Sequence, residues 1–85
     1  MSAEQQIANE LAEKIADDRA YRIATIAAED AVRCQGIATG GIDEFLIADG
    51  QTDDFMLDCI EHLRRFGEAV VYEIDDGIVV NFAVE

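Results

Sequence analysis

The seventeen residues from Ala69 to the end, AVVYEIDDGIVVNFAVE, constrain the fold more than any other stretch. Two runs rich in β-branched and aromatic residues flank Asp75-Asp76-Gly77, the pattern of two antiparallel strands joined by a tight turn. A two-residue turn at Asp76-Gly77 pairs Ile74 with Val79 and mixes Glu73 and Asp75 with Ile78, Val80 and Phe82 on one face. A three-residue loop over 75–77 pairs Ile74 with Ile78. One face then reads Val70, Tyr72, Ile74, Ile78, Val80, Phe82 and Val84, and the other Val71, Glu73, Val79, Asn81 and Ala83. A slip of one residue moves every side chain to the opposite face, so the uniformly apolar face favours the three-residue loop. Gly77 would then take the left-handed position that closes such loops. A sheet with one apolar face needs helices to cover it.

Upstream, no Gly or Pro occurs between Ala3 and Gln35. Ser2 followed by Gln5 is a capping-box start. A doublet then recurs every four residues: Ile7-Ala8, Leu11-Ala12, Ile15-Ala16, Arg19-Ala20, Ile23-Ala24, Ala27-Ala28. Four residues overshoot a helical turn by about 40°, so this stripe winds around the helix. Asp17-Asp18 is the expected break, because Asp is a poor interior residue and a good N-cap. The reading is two helices, 3–16 and 19–34, with one long helix as the alternative.

Gly36 is placed to cap the second of these, and residues 36–41 read as a flexible connection. Residues 42–48 read two ways: Asp43-Glu44 could open a two-turn helix, but the reading taken is a short strand at Phe45-Leu46-Ile47, before the turn signal Asp49-Gly50. The next helix is the clearest. Thr52 is its expected cap, Asp53 and Asp54 complement the dipole at its start, and Arg64-Arg65 at its end. Phe55, Met56, Cys59, Ile60, Leu63 and Phe66 share a face, and Gly67 stops the helix. The expected fold class is α+β: a two-layer sandwich in a single domain, with a three-stranded sheet covered on one side.

Catalysis fails on inventory. The chain has one histidine, His62, and one serine, Ser2, at the terminus. Cys59 and His62 lie one helical turn apart, but Cys59 belongs to the apolar face and lacks the electropositive setting a thiolate needs. Adding Cys34 gives three soft ligands without zinc-site spacing. The glycines of 36–41 are not followed by the Lys and Ser/Thr that a phosphate loop needs, since Gly41 leads into Ile-Asp-Glu, and a calcium loop starting at Asp49 would find Asp54 and Ile60 where Gly and Glu are needed. No enzyme activity, metal or cofactor is expected.

Charge is the outlier. Nineteen acids against six bases give a net charge of −13, and beyond Arg33 the only cations are Arg64 and Arg65. Such a surface repels nucleic acid and anionic membrane and attracts basic partners. The bland alternative is a solvated or halophile-type surface. Asp54, Asp58 and Glu61 recur at i, i+4 and i+7, so their carboxylates line one helix side at about 6 Å intervals, close to the spacing of backbone phosphates. Asp43, Glu44, Asp75 and Asp76 would extend this acidic face at the sheet end. Tyr21 or the outer hairpin face would supply an apolar anchor.

In size, acidity and lack of a catalytic set, the chain resembles the small phage-type inhibitors, among them anti-CRISPRs, antirestriction proteins and uracil-DNA glycosylase inhibitors. The resemblance carries no motif and transfers no residue. It implies an inhibitor that mimics phosphate charge and fills a basic nucleic-acid channel, in the cytoplasm, or in a host's cytoplasm if phage-encoded. The alternative is a structural or adaptor subunit, a homodimer formed through the alanine-rich helices or the hairpin edge.

Overall fold

Helix α1 runs unbroken from Ala3 to Gln35 in the computed structural model, which describes residues 3–83. The expected break at Asp17-Asp18 does not occur. Each Asp costs about 0.5–0.7 kcal/mol relative to Ala, whereas a break exposes up to four orphan carbonyls and four N–H groups and demands a second nucleus. Spacing also helps: Glu10-Lys14 and Asp18-Arg22 are i, i+4 pairs of opposite charge. The Ser2 cap and Val84 lie outside the described residues.

Residues 3–20 are exposed throughout, and α1 becomes half-buried only at Tyr21. Its remainder packs through Thr25, Ala28 and Val32. The helix therefore projects well beyond the folded body, and the molecule is 58 Å long against 27 and 18 Å across.

The connection after α1 is more ordered than glycine content implied. Strand β1 (Ile37–Ala38) pairs with β2 (Glu44–Ala48), setting Ile37 opposite Leu46 and Ala38 opposite Phe45. Gly36 does not adopt a left-handed cap. A Cβ there would lie 2.6 Å from the Val32 carbonyl oxygen and 2.8 Å from Phe45 Cβ, so close approach of β2 demands the glycine.

Helix α2 (Asp54–Arg65) starts one residue later than expected, with Asp53 as its cap: the Asp53 carboxylate accepts from the Met56 amide at 2.8 Å. Thr52 instead donates its hydroxyl to the Asp49 carbonyl. Gly67 ends the helix in the left-handed conformation, with Gly67 N–H donating to Arg64 O and Glu68 N–H to Leu63 O, a Schellman closure. Met56, Cys59, Ile60 and Leu63 are buried as expected, but Phe55 is 59% exposed and Phe66 49%.

Strands β3 (Val70–Ile74) and β4 (Gly77–Asn81) complete a four-stranded antiparallel sheet in the order β1-β2-β4-β3. The turn is two residues, Asp75-Asp76, and Ile74 pairs with Gly77. The expected three-residue loop is wrong, and so is the other register considered. Ile78, Val80 and Phe82 do face the helices, but β3 is flipped: Val71 and Glu73 share that inner face, and Val70, Tyr72 and Ile74 point away. The reason lies in Gly77. It pairs with Ala48 on one side and Ile74 on the other, and a Cβ there would sit 2.1 Å from the Ile47 carbonyl oxygen. The glycine serves the ladder rather than the turn.

The core lies between the sheet and one helical layer, with Val32, Ile47, Met56, Leu63 and Val80 fully buried. The α+β two-layer class stands, with one strand more than expected.

Candidate functional site: the acidic α2–β3 groove

The seven acids singled out from sequence divide into two groups. Asp43 and Glu44, at the turn into β2, are spent inside the fold. Asp43 takes a left-handed backbone conformation, and its carboxylate receives Arg33 through two bonds of 2.5 and 3.2 Å. Arg33 also lies 4.4 Å above the Phe82 ring. The Arg33 guanidinium pulls the Asp43 carboxyl below its usual range.

Glu44 stands on the uncovered sheet face. It accepts from Thr39 Oγ1 at 2.6 Å, Asn81 Nδ2 at 2.9 Å and the Tyr72 hydroxyl at 3.1 Å. These donors, Thr39 first, lower its pKa. One carboxylate thereby ties together β2, β3, β4 and the residue following β1.

The α2 acids behave differently. Asp54, Asp58 and Glu61 are all exposed. Glu61 is clamped by Arg64 at 2.6 and 3.0 Å, which lowers its pKa. Among the described residues, Asp54 and Asp58 have no ion-pair partner. Asp75 and Asp76 form the exposed hairpin turn, whose main chain is anchored by the Asp49 amide donating to the Asp76 carbonyl.

The flipped register adds an acid that sequence reasoning had put on the outer face. Glu73, on the inner face of edge strand β3, borders a groove of about 370 Å³ between β3 and α2. Leu57, Ile60, Val71 and Ile78 contribute apolar lining, while Asp58, Glu61, Glu73 and Arg64 supply charge. Asp58, Glu61 and Glu73 thus meet across two elements. The signal was the ladder constraint at Gly77, which only the tertiary approach of β2 reveals.

Tyr21 does not serve as an outward anchor. Its hydroxyl donates to Glu68, and its ring packs edge-on against Phe66 at 5.1 Å. Apolar exposure lies instead on the open sheet face, where Ile37, Leu46, Val79 and Tyr72 stand in register across all four strands. Val79 is only 3% exposed, but Ile37 is 61% and Tyr72 45%.

The Cys59 thiol and the His62 imidazole both sit in packed surroundings. Burial, with help from Asp58 and Asp53, raises the Cys59 thiol pKa, away from nucleophilic character. His62 Nε2 lies 2.8 Å from Thr25 Oγ1, joining α2 to α1, and its ring contacts both Tyr21 and Phe66. Among the described residues, no three His, Cys, Asp or Glu side chains are arranged to hold a metal, and no helix is long and apolar enough to cross a membrane.

The chain matches no family model, no curated protein and no solved structure.

Proposed function

We propose that this protein is a noncatalytic acidic binder that occupies the basic nucleic-acid-binding surface of a partner protein. The observation that carries this reading is the α2–β3 groove, where Asp58, Glu61 and Glu73 border an apolar lining against one already committed cation, Arg64. Carboxylates attract and orient a basic partner, and the apolar lining supplies contact area that charge alone does not. Asp54 and Asp58 lie about 6 Å apart along the helix, which suits an array of phosphate-binding cations. The hairpin acids Asp75 and Asp76 continue the same sign of charge at the end of β3.

The test is competition. Proteins captured on this chain from a nuclease-treated extract at low salt are assayed for nucleic-acid binding with and without it. The expected result is competitive displacement, weakening steeply between about 50 and 500 mM salt. Undiminished nucleic-acid binding by every captured protein, or capture indifferent to salt, overturns the proposal.

A second reading rests on a different observation. The projecting half of α1 exposes Ile7, Leu11 and Ile15 at 64, 57 and 53%. Such a helix fits a homodimer or adaptor role, in which paired helices cover these residues. Sedimentation equilibrium decides it: a monomer across the micromolar range excludes the dimer.

A further inference from the structure

Strand β3 is the sheet edge beside the acidic groove. Among the described residues, this strand pairs with β4 alone and no other strand flanks its outer edge. All its residues but Val71 are exposed. Natural edge strands are blunted by Pro, Lys, bulges, covering loops or an inward-pointing charge, and β3 has the last in Glu73, which a cationic side chain would match. Residues 70–74, Val-Val-Tyr-Glu-Ile, contain neither Pro nor Lys, and the β3–β4 register runs without a bulge. The alternating N–H and C=O groups facing away from β4 are therefore presented to a further strand.

We propose that an extended basic segment of the partner adds to the sheet as a fifth strand beside β3, placing an arginine or lysine side chain in the α2–β3 groove. The proposal rests on the binding function above and names its mode. Side chains of an added strand alternate between the two sheet faces. On the inner side they meet the groove, where Leu57 and Val71 receive an aliphatic stem, and Asp58 and Glu73 receive the cation. On the outer side they continue the exposed row of Val70, Tyr72 and Ile74. The segment that fits alternates basic and apolar residues, which is the pattern of β-strand addition.

A second copy of this chain fits the same edge poorly. Antiparallel pairing of β3 with its twin about Tyr72 sets Asp76 opposite Glu68 of the other copy and brings both acidic grooves to one junction. Each copy carries a net charge of −13. Like charges directly opposite destabilise strand pairs, so charge selects a cationic occupant.

The probe is a terminally blocked peptide of about nine alternating arginine and valine residues, long enough to span a strand. It is added to the full chain and followed by amide NMR and calorimetry. Expected are shifts concentrated on β3 and the groove side of α2, slowed amide exchange in β3, and about tenfold weaker binding to Glu73→Lys and to Asp58→Lys. Two further peptides are N-methylated, one at every valine and one at every arginine. A strand added in one direction uses only one set of amides, so one peptide weakens by about tenfold more than the other. The proposal is overturned if the two methylated peptides bind equally, if the shifts gather elsewhere, or if the parent peptide does not bind at low salt. Binding without edge selectivity would leave the competitive function standing. Edge-specific binding by a chain that displaces no nucleic acid would instead remove the function.

Discussion

Asn81 donates from its Nδ2 to Glu44 Oε2 at 2.9 Å, across the β2–β4 ladder where the two residues stand directly opposite each other. With Thr39 and Tyr72 donating to the same carboxylate, Glu44 holds the open sheet face together and is not available to a partner. Because these donors favour the ionised form, the Glu44 pKa is lowered on folding. The resulting stabilisation is complete above the ordinary glutamate value of about 4.3 and is lost as pH falls through the lower folded value. Glu44→Gln is therefore expected to flatten the acid limb of stability below about pH 4.3, measured by urea unfolding over a pH series.

Gly77→Ala is expected to cost about 3 kcal/mol or more, by steric conflict and an unfavourable backbone. The new Cβ would meet the Ile47 carbonyl oxygen at 2.1 Å, and φ is +152°. Gly50→Ala is the control, since nothing lies within 4 Å of its added Cβ. It should fall within about 0.5 kcal/mol of the parent in the same denaturant titration.

These two residues mark where sequence reading succeeds and where it fails. The α2 helix was legible, to within one residue at its start, because its terminal charges, its Gly67 stop and its apolar face agree. The strand runs were legible from their side chains. The hairpin register was not, because pattern matching rewarded an all-apolar inner face and could not see that β2 approaches Gly77 from the other side. Glu73 was thereby misplaced, and with it the groove. Asp17-Asp18 misled for a related reason: low propensity was read as a break, although a helix already nucleated by packing at Thr25, Ala28 and Val32 propagates through it. Acid doublets alone could not separate Asp43, which Arg33 neutralises, from Asp58, which no cation neutralises.

Removing residues 1–16 should leave the folded body intact. None of residues 3–20 is buried, so little apolar area is lost. Unfolding free energy measured at low micromolar concentration is expected to stay within about 0.5 kcal/mol of the full chain. A larger loss that grows with protein concentration would support the paired-helix reading, because association stabilises by mass action.

The two cysteines should differ sharply toward a thiol reagent. Cys34 is exposed, whereas Cys59 is buried, with its thiol pKa raised first by desolvation. Under native conditions near neutral pH one equivalent per chain is expected to react promptly, abolished by Cys34→Ser. The second should react only at the rate of opening, rising with urea. Prompt labelling of both would contradict the packing of α2.

The division among the acids gives the final prediction. Among the described residues, Asp54, Asp58 and Glu73 have no cationic partner, while Asp43 is paired with Arg33 and Glu44 is hydrogen-bonded within the sheet. Exposed ion pairs contribute about 0.2–1 kcal/mol each, so neutralising Asp54, Asp58 and Glu73 together to Asn or Gln removes about 0.6–3 kcal/mol of partner binding. That corresponds to about a threefold to 150-fold rise in Kd, with a shallower salt dependence. Glu44→Gln should lower stability at neutral pH, by a deficit that shrinks in the acid range, yet leave partner affinity within about twofold. Equal losses from Glu44→Gln and from the triple variant would mean that total charge, rather than the α2–β3 groove, determines recognition.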